Sequence, residues 1–176
     1  MIQQLTNPNT QSYQELQNIL FDSSMMWSYH DPMSFPGDDR EKELPYYSHM
    51  IMKRPVSGAA YSSITSHLFE LSYKVIEEIL QANNVQLNTI YRINLNATVD
   101  GEMKQSSWHT DLSFPHKNLL VYMSKFEGGA TMVRHNNDTK SFEPKPNDAI
   151  VFDGNLEHCH LTPSSGRRIT LVVNYL

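Results

Sequence analysis

Apolar residues recur at three- and four-residue spacing across positions 63–82, where Ile64, Leu68, Leu71, Val75 and Ile79 form one stripe. That spacing predicts an amphipathic helix. Ser62 or Ser63 is placed to cap its start, and Asn83-Asn84 to end it. A shorter stripe, Leu16, Ile19 and Leu20 after Ser12, predicts a second helix within residues 1–22. Between the two lie residues 23–61, which hold Trp27, Tyr29, Phe35, Tyr46 and Tyr47 among Pro, Gly and Ser. No period is sustained there, so the stretch reads as long loops with short strands.

From Asn88 onward the signal changes to short β-like runs at 89–96, 103–110, 118–124, 130–134, 141–144, 149–152, 159–162 and 168–175. Turns such as Phe126-Glu127-Gly128-Gly129 and Lys145-Pro146-Asn147-Asp148 separate them. Eight short strands with turn residues between them predict a sandwich or jelly roll rather than alternating βα units. The expected architecture is an all-β core with N-terminal helices packed outside, α+β overall. It is expected as a single domain over 1–176, with helices and lid or substrate loops in 1–87 and the core in 88–176.

Composition narrows the classes. Hydrophobic residues make up 39% and charged residues 19% of 176, an ordinary globular balance large enough for one core. A net charge of −5 leaves no broad basic surface for a phosphate backbone, so a nucleic-acid partner is not expected. No apolar run approaches the length of a membrane span. The start, Met1-Ile2-Gln3-Gln4-Leu5-Thr6, has neither the basic opening nor the apolar block of a signal peptide. One cysteine, Cys159, makes no internal disulfide, which suits a reducing compartment. A cytoplasmic location is therefore expected. Oligomeric state is left open.

The candidate chemistry lies in His109-Thr110-Asp111, followed 47 positions later by His158 and ten after that by Arg168. On a strand, residues i and i+2 point the same way, so His109 and Asp111 can share an ion while Thr110 faces away. Two imidazoles and one carboxylate leave coordination positions open, the pattern of non-haem Fe(II) oxygenases. His158 supplies a third ligand from a distant strand, and His160 competes with it because both face one side. Cys159, between them, should point the other way and serve as a buried structural thiol.

These residues resemble the 2-oxoglutarate- and Fe(II)-dependent oxygenases built on a double-stranded β-helix. The resemblance runs over Arg92-Ile93-Asn94-Leu95-Asn96, Trp108-His109-Thr110-Asp111, Gly128-Gly129-Ala130-Thr131, Phe152-Asp153-Gly154 leading to His158, and Arg168-Ile169-Thr170. Small prolyl-4-hydroxylase-like members, some encoded by phages, are the nearest in pattern. The resemblance implies Fe(II) held by His109, Asp111 and His158, with 2-oxoglutarate and O2 as cosubstrates and ascorbate as a supporting reductant. It favours His158 over His160.

In this reading Arg168 pairs with the distal carboxylate of 2-oxoglutarate, Thr170 adds a hydroxyl from the same strand face, and Asn94, Asn96 and Tyr122 are further cosubstrate candidates. Arg167 should face outward. Prolyl hydroxylases often place lysine where this chain has Arg168. An intact Asp111 favours hydroxylation over halogenation. The implied reaction is hydroxylation of a C–H bond on a peptidyl, prolyl-like substrate, with release of succinate and CO2. Free amino acids, other small molecules or nucleobases are alternative substrates, and a non-catalytic cupin-like binder of a metal or small acid is an alternative of another class. Trp27, Tyr29, Tyr46 and Tyr47 are expected to line a substrate groove or to cover a sheet edge.

Overall fold

The computed structural model describes residues 2–30, 44–55, 61–99, 104–136 and 138–176. In chain order the elements are β1 (Gln3–Leu5), α1 (Gln11–Phe21), β2 (Ser28–His30), β3 (Tyr46–Lys53), β4 (Ser63–Ile64), α2 (Phe69–Ala82), β5 (Ile90–Val99), β6 (Lys117–Tyr122), β7 (Phe126–Gly128), β8 (Thr131–His135), β9 (Asp138–Phe142), β10 (Ala149–Asp153), β11 (His158–His160) and β12 (Pro163–Tyr175). The major sheet runs β1-β10-β6-β12-β5-β3-β2, with β4 added on β3 and β7 on β12. The minor sheet runs β11-β8-β9. All pairings are antiparallel. The β-sandwich with external helices is the architecture expected from the strand pattern.

Period-two alternation divides the central strands into two chemistries. On β12, Ile169, Leu171, Val173 and Tyr175 join Ile93, Leu95 and Ala97 of β5 and Leu119 and Val121 of β6 in a dry layer. Leu16 and Leu20 of α1 and Val75, Ile76, Ile79 and Leu80 of α2 cover that layer. Each fully buried Leu or Ile contributes about 1.5–3 kcal/mol. Arg168, Thr170, Val172 and Asn174 occupy the alternate positions of β12 and face the other side, with Leu120 and Val172 packing among Tyr122, Val133, Ile150 and Phe152 between the sheets. The helices are tied to one another as well. Thr10, whose hydroxyl caps α1 at the Tyr13 amide, bonds Glu78 of α2, and so does Ser12.

Three sequence expectations change. The helix expected over 63–82 starts at Phe69, because Ser63 and Ile64 pair with Lys53 and Met52 on the edge of β3. Ile64 of the supposed apolar stripe is thus 57% exposed. The Ser66 hydroxyl, rather than Ser62 or Ser63, accepts the Leu68 amide at the helix entry. The strand expected over 103–110 is not continuous across its described part. Only Gln105 and His109 form bridges, to Leu161 and His158, and the Lys104 amide bonds the Thr162 hydroxyl instead of a backbone carbonyl.

Residues 23–61 were expected mainly as loop, yet β3 is an eight-residue strand inside the major sheet, paired with β5. Trp27 packs against the helix-side core instead of lining a groove. Phe35 and the rest of 31–43, like 56–60, lie outside the described residues. No helix among the described residues is long and apolar enough to cross a membrane.

Candidate active site

His109 and His158 are brought together by a backbone pair. The His109 amide donates to the His158 carbonyl at 3.1 Å, and the His158 amide returns the bond at 2.9 Å. Residues paired in this way project their side chains to the same face. Their ring centroids are 4.5 Å apart. Each ring is also held from behind: His109 Nδ1 donates to the Ser107 carbonyl at 3.0 Å, and His158 Nδ1 to the Leu156 carbonyl at 3.1 Å. Fixing Nδ1 as the donor leaves Nε2 with its lone pair toward the site, as a metal-binding histidine requires.

Asp111 completes the group, its Oδ2 3.6 Å from His158 Nε2. One ligand atom from each of His109, Asp111 and His158 lies within 4.8 Å of the others. Asp111 Oδ2 accepts from Asn118 Nδ2 at 2.9 Å and from Asn174 Nδ2 at 3.1 Å, and Oδ1 faces Arg92 Nη1 at 3.4 Å. Burial pushes this carboxyl up, but His158, Arg92 and Asn174 together outweigh it and hold the group well below the usual carboxylate range. The donor set is two imidazole nitrogens and one carboxylate oxygen on one side of an open cavity. That fits a divalent ion such as Fe(II) with positions left for other ligands.

The cavity has a volume of about 370 Å³, and its wall continues from His109, Asp111 and His158 to Arg168, Thr170, Thr131 and His160. Arg168 is 5% exposed. Its Nε donates to the Gly129 carbonyl at 3.0 Å and its Nη2 to Thr131 Oγ1 at 2.9 Å, while its guanidinium carbon lies 5.3 Å from the Tyr122 ring. No acidic side chain among the described residues pairs with it. Burial pulls its pKa down, against the pull of the neighbouring Tyr122. A sealed cation of this kind calls for an anion. Nearby, the hydroxyls of Thr170 and Thr98 are buried without a hydrogen-bond partner among the described residues. The pocket therefore fits a dicarboxylate as well as a metal.

The other sequence candidates are distributed around this wall. Asn96 lines the cavity, and Asn94 stands behind it, donating to Asn96 Oδ1 at 2.5 Å. Tyr122 is fully buried, and its hydroxyl is 2.8 Å from Thr131 Oγ1 rather than at the surface. It touches the cavity through Arg168 and Thr131. His160 shares the strand face of His158 and lines the cavity, but it is outside the three-residue group. Its Nε2 is sealed and unpartnered, which excludes a solvated role. Burial, then Arg168, His109 and His158, push its pKa far down. Cys159 is 2% exposed and its thiol is pushed up to about 11 by burial. Arg167 turns to the helix side, over Phe21 at 5.5 Å.

Asn118, Asn174, Arg54 and Ser106 escaped the sequence reading. The first two carried a usable signal, because each is a polar residue at an inward register position of a buried central strand, two positions from Leu120 on β6 and from Val172 on β12. The same logic had singled out Asn94 and Asn96. Arg54 donates to the Asp111 backbone carbonyl at 2.5 Å from just past β3, a strand not foreseen.

No family model and no curated protein sequence matches the chain. Solved structures do. An oxidoreductase of the 2OG-Fe(II) oxygenase family from Burkholderia pseudomallei superposes with a TM-score of 0.69 at 14% identity, covering 92% of this chain and 77% of its own. The chain shares the fold of that oxygenase. A Pseudomonas putida prolyl-4-hydroxylase shares that oxygenase fold at a TM-score of 0.61 and 12% identity, over 99% of this chain and 91% of its own. A Trichoplax adhaerens prolyl hydroxylase, solved in complex with a hypoxia inducible factor peptide fragment, does so at 0.65 and 12%, over 99% and 83%. At such identities the oxygenase fold is shared, and residue roles rest on the geometry of this chain.

Proposed function

We propose that this protein is an Fe(II)- and 2-oxoglutarate-dependent dioxygenase that hydroxylates a C–H bond, with a peptidyl, prolyl-like group as its substrate. The observation that carries the reading is the presence, on one cavity wall, of the His109, Asp111 and His158 group and of Arg168, a buried guanidinium with no acidic partner among the described residues. A simple metal binder has no use for the second feature.

The chain's own residues divide the work. His109, Asp111 and His158 hold the ion; Asn118 and Asn174 orient the Asp111 carboxylate so that one oxygen faces it. Arg168 and Thr170 take the distal carboxylate of 2-oxoglutarate, with Thr131 and Tyr122 holding the guanidinium in place. Asn96 borders the same pocket, and Asn94 fixes its amide. Leu120 and Val172 form the apolar part of the wall and exclude water. When bound, iron supplies the oxidising chemistry: 2-oxoglutarate, O2 and the C–H substrate become succinate, CO2 and the hydroxylated product.

A peptidyl substrate is supported by the extended β3 segment and its flanks, from which Leu44, Tyr46 and Arg54 line the cavity. It is supported also by the peptide bound to the structurally similar Trichoplax protein. The test has two stages. Purified protein with Fe(II) and O2 is expected to release succinate from 2-oxoglutarate, slowly even without substrate. Mass spectrometry on a panel of peptides, amino acids and oligonucleotides is then expected to find a gain of one oxygen on a proline-containing peptide. A gain confined to amino acids or oligonucleotides would reassign the substrate. No succinate under any condition would leave the cupin-like binder as the reading.

A further inference from the structure

His160 is the one imidazole on the cavity wall that the ligand set does not use. Its environment defines its hydrogen atoms. Ser106 Oγ accepts the His160 amide at 3.0 Å, and among the described residues the acceptor within reach of the hydroxyl's own proton is His160 Nδ1, 3.1 Å away, which assigns Nδ1 as the acceptor. With Nδ1 accepting, the ring proton sits on Nε2. The same two residues are locked a second time by the Ser106 amide, which donates to the His160 carbonyl at 2.9 Å. His160 Nε2–H is thus a fixed donor, buried and without an acceptor among the described residues. Buried donors are rarely left in that state, and such a group in a cleft marks a missing partner.

Position indicates which partner. His160 lies opposite Thr131 across the β11–β8 pairing, and Thr131 Oγ1 accepts from Arg168 Nη2. The donor therefore stands on the Arg168 side of the ligand set. Gln105, beside Ser106, bridges to Leu161 and holds this stretch against β11 from the next position. Resting on the function proposed above, we infer that His160 Nε2–H is a further 2-oxoglutarate donor, acting on the carboxylate that Arg168 holds. Its role is then to bind the cosubstrate, as a neighbour of the metal site rather than a ligand in it.

The experiment measures binding to protein loaded with Mn(II) in place of Fe(II), by calorimetry without O2, so no turnover is involved. The variants are His160→Leu, which removes the donor at similar volume, His160→Gln, whose amide can donate, and Ser106→Ala, which releases the ring proton from its fixed position. The ligands are 2-oxoglutarate and 2-oxobutyrate, which lacks the distal carboxylate.

The expected result is a Kd for 2-oxoglutarate raised about tenfold or more in His160→Leu, since hydrogen bonds to a charged group are worth about 1.5–3 kcal/mol. His160→Gln should recover part of this, Ser106→Ala should lose a few-fold, and 2-oxobutyrate and Mn(II) affinities should stay near wild type. Unchanged 2-oxoglutarate binding in both His160→Leu and Ser106→Ala overturns the inference, as does loss of Mn(II) binding matching that of His158→Ala. Equal losses for the two oxo acids would move the donor to the metal-side carboxylate and overturn it too. Should His160→Leu not fold, Ser106→Ala alone decides by the same criterion. Failure of wild-type protein to bind 2-oxoglutarate at all is a different outcome, which removes the proposed function itself.

Discussion

Asn174 Nδ2 reaches Asp111 Oδ2 at 3.1 Å across 63 positions of sequence, and donates to Asn118 Oδ1 as well. The two asparagines form a small amide network behind a single carboxylate, which fixes its Oδ2. Replacing Asn174 with Leu should weaken metal affinity by about tenfold or more while leaving the three ligands in place. Mn(II) titration of wild-type and variant protein checks this, and equal affinities would show that the network is only packing.

Removal of a ligand should be more severe than removal of its support. His109→Ala, Asp111→Ala and His158→Ala are each expected to abolish stoichiometric Fe(II) binding, whereas His160→Ala keeps most of it. The check is anaerobic equilibrium dialysis with metal analysis. Should His160→Ala be the damaging change and His158→Ala harmless, the third ligand is His160.

Arg168 and Arg167 are neighbours with opposite duties. Arg168→Met should cost about 3–5 kcal/mol of 2-oxoglutarate binding, a rise in Kd of roughly one hundred-fold to a few thousand-fold, because the distal carboxylate is left buried and unpaired. The same change removes a sealed charge, so the apo protein should melt no lower than wild type. Arg167→Met, on the helix side over Phe21, should alter cosubstrate binding little. Calorimetry and thermal melts give both readouts. Equal losses of cosubstrate affinity would place the strand register in error.

Gly154 has no room for a side chain. A Cβ there would lie 2.0 Å from His116 Nε2, in a ring that is buried and tied back by its Nδ1 to the Phe114 carbonyl. Gly154→Ala should destabilise the fold by about 1–3 kcal/mol through this overpacking, measured by urea unfolding. Adding His116→Ala should recover part of the loss, and a failure to recover any would point to the backbone instead of the ring.

The Cys159 thiol, raised to about 11, should be inert in the folded protein. A raised pKa lowers the thiolate fraction at every pH beneath it, to roughly one part in a thousand at pH 8. Alkylation by iodoacetamide at that pH should therefore be far slower in native protein than in urea, by mass spectrometry over time. Comparable rates would mean the strand opens readily.

Where local spacing sets geometry, the sequence was readable. Arg168 with Thr170 but against Arg167 follows from two-residue periodicity along β12, whereas His109 forms only an isolated bridge and Asp111 lies in a bend beyond it, so their meeting has another cause than strand alternation. Strand β3 was harder to see, because its register to β5 shifts between Met50 and Met52 and leaves Ser48 and Ile51 as its buried residues. A bulge of that kind erases the alternation that identifies a strand. The His109–His158 backbone pair joins residues 49 positions apart, and no local pattern encodes it. Asn118 and Asn174 were legible in kind, as inward polar residues, but their meeting at Asp111 depends on the β6–β12 register, which sets Asn174 opposite Asn118.

Because β12 gives its odd-numbered residues to the helices and its even-numbered residues to the cavity, it acts as a partition with a different solvent on each side. A slip of one residue against β5 would bury Thr170 and Asn174 beneath the helices and turn Ile169 and Leu171 toward the cavity. Misassembly would thus lose the dry layer and the chemistry together. Copies that fold at all should be copies whose cavity wall is assembled, so that for this chain stability serves as a proofreader of the residues that face the cavity.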